Sequence, residues 1–264
     1  MASIEANERG PAELRIAPPP RPRRCDARRA LRLVGALMDA PERTELVFEL
    51  IDAVGGEGDE PLFREFAASA EGRRLLAERP SLVAALGDRE ALRRLPAGSL
   101  GRAYLALAEA RGFDADALQR ANERGLGAAN AALDPHRRWF YARTTAMHDL
   151  WHVLTGYGTD ESGEAALLAF GVAQGVAGRG LRLILAAIVW RASWSGGVAL
   201  PRQLAAAWRR GRRSGRLVLA RYEELLPLPL ARVRRQLSIP AFFDAHPRGL
   251  ARLPRGFARG GDRA

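Results

Sequence analysis

The sequence contains no lysine, although 41 basic residues stand against 30 acidic ones and give a formal charge of +11. Arginine therefore carries the whole positive charge, and it occurs together with heavy use of alanine, glycine and leucine. That combination is typical of GC-rich coding, so the net charge by itself is not treated as a sign of function. A basic surface still attracts anionic lipids, anionic small molecules and nucleic acid in a salt-dependent way.

Cysteine and tyrosine are also scarce. The single cysteine, Cys25, lies in a tract rich in proline and arginine, which excludes an intrachain disulfide and a cysteine-based metal site. A reducing compartment fits this composition. With only 4 tyrosines and no interleaved basic and aromatic strand pattern, we expect no nucleic acid partner.

Long apolar runs are absent as well. The best candidate, residues 183–190, is far shorter than the about 20 apolar residues that span a bilayer, so we expect no membrane crossing. Residues 1–30 lack the apolar core of a secretory signal, and we expect none there. Their arginines are typical of a mitochondrial transit peptide, but Glu5, Glu8 and Glu13 count against one, because transit peptides are poor in acidic residues.

The spacing of apolar residues predicts an all-α protein. Apolar positions recur at helical intervals, and no segment shows the alternation of a strand. We expect one helical domain over residues 27–240, with a disordered basic arm over 1–26 and a flexible tail over 241–264, because both ends are rich in proline and arginine. The predicted short helices include 62–68, 73–77, 81–86, 89–95, 114–124 and 230–237.

A longer helix is predicted to begin near Pro135 and to reach residue 155. At about 100° per residue, His148, Asp149 and His152 share one arc of it. The opposite side is apolar and predicted to be buried, and it holds Phe140, Met147, Leu150, Trp151 and Leu154. Two imidazoles and a carboxylate would therefore lie at the edge of a core.

The residues after this helix predict a tight turn and a returning helix. Gly156 and Gly158 are expected to end the first helix, and Thr159 or Asp160 is a suitable cap for the next. Glu164 lies in the first turns of that second helix. A helix, a turn and a returning helix can bring Glu164 back over the two histidines.

Imidazole and carboxylate side chains are ligands that suit zinc or iron. The arrangement is similar to the HExxH helix of zinc proteases, in which two histidines one turn apart bind the metal. Here the second position is Asp149, whose side chain is one methylene shorter, and this weakens a protease interpretation. The alternative is that His148 and His152 only pack or form hydrogen bonds on a helix face.

Two further segments have a composition that suits an interface. The apolar residues 183–190 are expected to belong to a helix buried in the core. That helix could instead line an apolar tunnel or lie on a bilayer. The run at residues 208–216 is the densest internal positive patch. We expect its arginines, Arg209, Arg210, Arg212 and Arg213, to bind an anionic membrane surface.

These motifs resemble the coenzyme Q (ubiquinone) biosynthesis protein Coq4 family, whose signature is HDxxH followed after eleven residues by Glu. Here it is matched by His148, Asp149, His152 and Glu164. LPAGSLGRAYLAL at residues 95–107 resembles the family's LPxGSLGxxYxxF block. WRRGRRSGRL and PLPLARVRRQLSI further along are similar in kind.

The resemblance implies an all-helical fold and a zinc site formed by His148, Asp149, His152 and Glu164. Asp149 is also the expected catalytic residue, because a carboxylate beside the metal can move protons during a decarboxylation. It implies a peripheral membrane protein that holds polyprenylated ring intermediates and organises other ubiquinone biosynthesis enzymes. It also implies removal of the ring C1 carboxylate with hydroxylation at that carbon. The expected location is the cytoplasmic face of a bacterial inner membrane or the mitochondrial inner membrane, and a homodimer is an open option.

Three functions stay open at this point. The first is a metal-dependent decarboxylase of ubiquinone precursors, and the second is a lipid-binding scaffold without catalytic activity. The third, an HD-type metal phosphohydrolase, is suggested by the pair His148 and Asp149 but needs a more distant upstream histidine than His136. Zinc cannot supply electrons, so an oxidative step would need dioxygen acting on the ring itself or iron as the metal.

Overall fold

The structure is a computed structural model that describes residues 16–39, 43–56, 58–111, 133–176, 178, 182–183, 185–186, 189 and 199–250. Regular structure in these ranges is helical, and the β interactions there are two isolated bridges. The helices are α1 (Ala27–Asp39), α2 (Thr44–Val54), α3 (Glu60–Ala68), α4 (Ala70–Glu78), α5 (Leu82–Gly87), α6 (Arg89–Arg94), α7 (Leu100–Arg111), α8 (Pro135–Thr155), α9 (Glu161–Ala173), α10 (Ala199–Arg213), α11 (Tyr222–Leu225), α12 (Leu230–Gln236) and α13 (Phe242–Ala245). A 3₁₀ turn spans Leu217–Leu219.

The short helices α3 to α6 confirm four of the predicted segments. The starts of α4, α5 and α6 are set by polar side chains that cap free backbone N–H groups, whereas α3 has no side-chain cap. Ser69 accepts from Gly72 N at the start of α4, and Asp88 accepts from Ala91 N at the start of α6. The predicted helix over 114–124 lies outside the described residues.

The long helix α8 lies in the middle of the main core, as predicted. Phe140, Met147, Leu150 and Leu154 are at most 1% exposed, and Trp151 is 5% exposed. Helices α4, α5 and α7 pack against α8, while α9 packs on α8 and along α10. The predicted single helical domain with a buried apolar side of α8 is therefore confirmed.

Two arginines of α8 are buried, which hydrophobic patterning did not predict. Arg137 is 2% exposed and donates to both carboxylate oxygens of Glu60, each at 2.7 Å. Arg143 is also 2% exposed and binds Glu223 at 2.6 and 3.0 Å. A buried charge must be paired in this way, so these contacts fix α8 against α3 and α11.

Helices α1 and α2 form a hairpin with a small core of its own. That core consists of Leu33, Leu46, Leu50, Ala53 and Val54. The segment before α1 was expected to belong to a disordered arm, but its described residues 16–26 contact the domain. The Arg23 backbone bridges Gly56, and the Ala17 carbonyl accepts from the Arg137 guanidinium at 3.0 Å.

The carboxyl-terminal part of the described chain also differs from the expected flexible tail. Helix α13 lies beyond residue 240 and packs on α10, and His246 is 3% exposed. The ordered domain therefore extends past the predicted boundary.

The apolar segment after α9 is described only in part. Leu185 and Val189 pack against the main core, whereas Leu183 is 55% exposed, so the expected all-round burial is wrong at Leu183. Across the described ranges, none of the helices combines the length and the apolarity that a bilayer span requires.

Candidate metal centre

Helix α8 begins and ends at well-defined caps. The Asp134 side chain accepts from the N–H groups of His136 and Arg137, and Pro135 occupies the first helical position. At the other end, Gly156 has φ of 76°, a left-handed conformation that glycine adopts without strain. Helix α8 thus presents His148 and His152 one turn apart near its carboxyl end.

The turn after α8 brings the chain straight back. Asp160 caps α9 by accepting from Gly163 N at 2.8 Å, which confirms one of the two predicted caps. A Cβ atom at Gly163 would lie 1.9 Å from the Gly158 carbonyl oxygen, so only glycine permits this close return. As a result, Glu164 faces the histidines of α8.

Three side chains converge, and their ligand atoms form a small triangle. The Nε2 atoms of His148 and His152 are 3.1 Å apart. The Glu164 carboxylate lies 3.5 Å from the first and 3.3 Å from the second. Two ligands bound tetrahedrally to zinc at about 2.0–2.1 Å are separated by about 3.3 Å, so this triangle fits one face of a zinc site.

Asp149, which was predicted as a fourth ligand, is not part of this triangle. The group of ligand atoms that lie within 4.8 Å of one another contains His148, His152 and Glu164. Asp149 is half-buried beside that group and interacts electrostatically with both histidines and with Arg111 of α7. The expected set of four ligands is therefore reduced to three, with the Asp149 carboxyl nearby.

Charge and burial shape the protonation of these groups. Burial alone would raise the pKa of Glu164, but the two histidines outweigh it and hold that pKa far below its usual range. Burial lowers the pKa of His148, yet the hydrogen bond and charge of Glu164 reverse the sign and leave it raised. Burial raises the pKa of Asp149, against the opposing effect of His148 and His152. An ionised Glu164 would attract a divalent cation for the same reason that it raises the pKa of His148, because a negative charge stabilises a positive one beside it.

The other ring nitrogen of His152 is held by the turn. Its Nδ1 atom lies 3.1 Å from the Tyr157 carbonyl oxygen. A carbonyl only accepts, so Nδ1 carries the hydrogen and Nε2 keeps its lone pair for the triangle. Metal-binding histidines usually have such a partner on the second nitrogen.

Each of the last four carbonyl groups of α8 accepts a hydrogen bond, and three of these bonds come from two arginines that are distant in the sequence. The Gly156 N–H donates to His152 O, and Arg234 donates to the carbonyls of Val153 and Leu154, each at 2.9 Å. Arg210 donates to Thr155 O at 2.7 Å. Cations at this end of a helix are also favoured by the helix dipole.

The role expected for Arg210 is therefore wrong. This side chain is 3% exposed, and it also donates to the Pro240 carbonyl and lies over the Tyr157 ring. It cannot reach a membrane. Arg209, Arg212 and Arg213, on the other face of α10, are exposed and remain available for one.

The residues that support the triangle were not predicted from the sequence. Tyr157 lies between His152 and Glu164, but Arg210 and His246, which contact its side chain, are dozens of residues away. The same is true of Arg234, which donates to the carbonyls at the end of α8. A buried arginine and an exposed one look alike in a run such as WRRGRR. The helical register of α10 could have separated them, because Leu204 and Ala207 on its buried face are six and three residues before Arg210.

Comparisons with known proteins point to one family. The sequence model of the family described as coenzyme Q (ubiquinone) biosynthesis protein Coq4 matches residues 28–242. The mitochondrial ubiquinone biosynthesis protein COQ4 homolog 2 of Culex quinquefasciatus is 31% identical over 127 residues, or 48% of this chain and 53% of that protein. The mitochondrial COQ4 of Yarrowia lipolytica is 29% identical over 205 residues, which cover 72% of each protein. In several alignments the chain spans only about half of the relative's length.

The fold is also similar to that of a solved structure. A Nostoc punctiforme protein, described as a candidate ubiquinone biosynthesis protein, matches with a TM-score of 0.60 and 20% identity. The match covers 83% of this chain and 100% of that one. At 20% sequence identity, this match shows that the two proteins share a fold and nothing more.

The two adjacent arginines of α10 offer a direct test of the capping role. Arg210→Ala is expected to lower the free energy of unfolding by about 2–4 kcal/mol, because it removes charged hydrogen bonds to buried carbonyls. Arg209→Ala is the matched control and is expected to change that free energy by no more than about 0.5 kcal/mol. Urea unfolding followed by circular dichroism measures both. Equal effects of the two substitutions would contradict the capping role.

Proposed function

The chain belongs to the coenzyme Q (ubiquinone) biosynthesis protein Coq4 family, and on that premise we propose that it removes the C1 carboxylate from a polyprenylated hydroxybenzoate with the help of a bound metal. The observation that carries this proposal is the triangle formed by His148, His152 and Glu164. Three protein ligands that leave another position open are the usual arrangement of catalytic zinc sites.

Zinc suits the donor set best, and iron is the alternative, since two histidines and a carboxylate also suit non-haem iron. His152 would be the anchored ligand, because its side chain is 2% exposed and hydrogen-bonded at its second nitrogen. His148 and Glu164 are 41% and 46% exposed and form the open side of the site. When bound, the metal supplies a Lewis acid that polarises oxygen substituents of the substrate.

Asp149 is placed to manage the proton of the reaction. In decarboxylation the bond between ring carbon C1 and the carboxylate breaks, CO2 leaves, and the electron pair stays on C1, which then takes up a proton. Burial raises the pKa of Asp149, so this carboxyl holds a proton more readily than an exposed aspartate does. Hydroxylation of the same carbon would in addition require dioxygen as the oxidant.

A substrate with a long apolar tail resides in a membrane, and we propose that α10 and α13 meet its anionic surface. Arg209, Arg212 and Arg213 are exposed on α10. Trp208 is 40% exposed beneath the Arg212 guanidinium, and Phe243 of α13 is 70% exposed. Arginines beside exposed aromatic rings suit the boundary between lipid headgroups and acyl chains.

The first prediction of this proposal concerns the metal. The purified chain is expected to carry about one divalent ion, and His152→Ala or Glu164→Ala is expected to lose it, since a three-ligand site has none to spare. Asp149→Asn is expected to keep the ion, because Asp149 lies outside the triangle. His136→Ala, which changes a histidine elsewhere on α8, is the matched control. Elemental analysis gives the occupancy, and unchanged occupancy in both ligand variants would exclude this site.

The second prediction separates an enzyme from a scaffold. Asp149→Asn keeps the size of the side chain but removes its charge, so turnover is expected to fall by about 10²- to 10⁴-fold. In a host that lacks the endogenous gene, the wild type is expected to restore ubiquinone. The variant is expected to accumulate a prenylated ring acid that keeps its C1 carboxylate. Lipid extraction and mass spectrometry measure both compounds.

Asp244→Asn, the same change at an exposed site on α13, is the control and is expected to restore ubiquinone. A folded, metal-loaded Asp149→Asn protein that sustains normal ubiquinone would refute the catalytic role. That result would favour a lipid-binding scaffold, while family membership would stand.

The third prediction tests the membrane surface. Replacing Arg209, Arg212 and Arg213 together by glutamine is expected to weaken binding to vesicles that contain phosphatidylserine by about 10²-fold, at about 1 kcal/mol per arginine. The control replaces Arg73, Arg74 and Arg94, which are exposed on α4 and α6. Both variants lose three positive charges, so they differ only in where on the protein those charges are lost. Sedimentation with vesicles gives the affinities. Equal losses of affinity in the two variants would mean that binding depends on net charge and not on this surface.

A further inference from the structure

We propose that His246 is a positioning residue of the metal centre: it holds the Tyr157 side chain and thereby fixes the carbonyl group that orients the His152 imidazole. The proposal rests on the proposed metal-binding function of His148, His152 and Glu164. It assigns a role to a segment that follows the residues matched by the family model, which end at 242.

The first link joins the turn to the ligand. His152 Nδ1 donates to the Tyr157 carbonyl oxygen at 3.1 Å, so the direction of that carbonyl sets the rotation of the imidazole ring. Tyr157 lies outside both helices, directly after the left-handed Gly156. The regular hydrogen bonds of α8 therefore do not fix its backbone.

The second link is the environment of the Tyr157 side chain. The residue is 2% exposed, and its hydroxyl lies 3.0 Å from His246 Nε2. The rings of Phe170 and Phe242 contact it edge-on at centroid distances of 6.3 and 5.8 Å. A buried phenol requires hydrogen-bond partners, and His246 is one of them, together with the Arg210 guanidinium beside the ring.

His246 is held firmly enough for this role. It is 3% exposed, and its backbone N–H donates to the Phe242 carbonyl at 2.9 Å, which closes the turn of α13. Burial, and then the nearby charge of Arg210, lower the pKa of His246 to about 4, so the ring is neutral near pH 7. A neutral imidazole pairs with a phenol without bringing in a second buried charge beside Arg210.

The geometry distinguishes His246 from an ordinary core residue. Two hydrogen bonds and one side chain separate it from the Nε2 atom that faces Glu164. Loss of the hydroxyl contact removes one constraint on the Tyr157 ring, which Phe170, Phe242 and Arg210 still contact, and the carbonyl that orients His152 then gains rotational freedom. The metal triangle loosens even when the remainder of the core stays packed.

The test uses the full chain and cobalt(II), whose absorption bands report the geometry of its ligands. His246→Ala and Tyr157→Phe are each expected to weaken cobalt affinity by about 10-fold, the lower end of the range for partners outside the ligand set. Both are expected to alter the bands. His246→Gln, whose amide can still pair with the phenol, is expected to restore affinity to within about threefold of the wild type and to restore the bands.

His136→Ala serves as the matched control. This histidine lies on α8, is partly buried and pairs with Arg79, but it has no link to the triangle. It is expected to leave both affinity and bands unchanged. Should His246→Ala fail to fold, Tyr157→Phe and His246→Gln decide the matter with the same two measurements.

The outcomes separate this inference from the proposed function. If His152→Ala abolishes cobalt binding while His246→Ala and Tyr157→Phe match the wild type in affinity and bands, the positioning role is refuted and the metal site stands. If the wild type binds no cobalt, or binds it independently of His152, the metal site and the positioning role both fail.

Discussion

The carboxyl end of helix α8 imposes the constraint on which the site depends. Four carbonyl groups there have no partner within the helix, and they lie where water has little access. Gly156, Arg210 and Arg234 satisfy them. Because His152 lies in the last turn of α8, the contacts that end the helix also place the ligand. The contacts that cap α8 therefore also determine the geometry of the metal site.

The same helix α10 serves two environments. Its inner face sends Arg210 to the end of α8, and its outer face exposes Arg209, Arg212 and Arg213. The exposed arginines that suit anionic lipid therefore lie on the same helix that caps the end of α8. Helices α9 and α10 pack closely against each other, because a Cβ atom at Gly211 of α10 would lie 2.6 Å from the Phe170 carbonyl oxygen of α9. This close packing fixes the position of α10 relative to the helix that carries Glu164.

Local chemistry explains which parts of the fold could be predicted. The short helices follow from caps such as Ser69 and Asp88, which act within three residues. The buried side of α8 and the return of Glu164 follow from helical periodicity and from the glycines of the turn. Residues 16–26 were predicted to belong to a disordered arm and residues 241–246 to a flexible tail, because both ends of the chain are rich in proline and arginine. Their order comes from single contacts, such as the Ala17 carbonyl with Arg137 and the Tyr157 hydroxyl with His246.

By itself, the sequence determined the helical class, the positions of most described helices, the histidine pair and the carboxylate that meets it, because each depends on spacing along one or two adjacent helices. Only the tertiary structure decided that Asp149 stands beside the ligands instead of among them, that Arg210 is buried, and that His246 reaches Tyr157. These facts depend on contacts between residues dozens of positions apart. Burial changes the energy of an arginine or an aspartate by several kcal/mol, and the partners that stabilise the buried group come from distant parts of the chain.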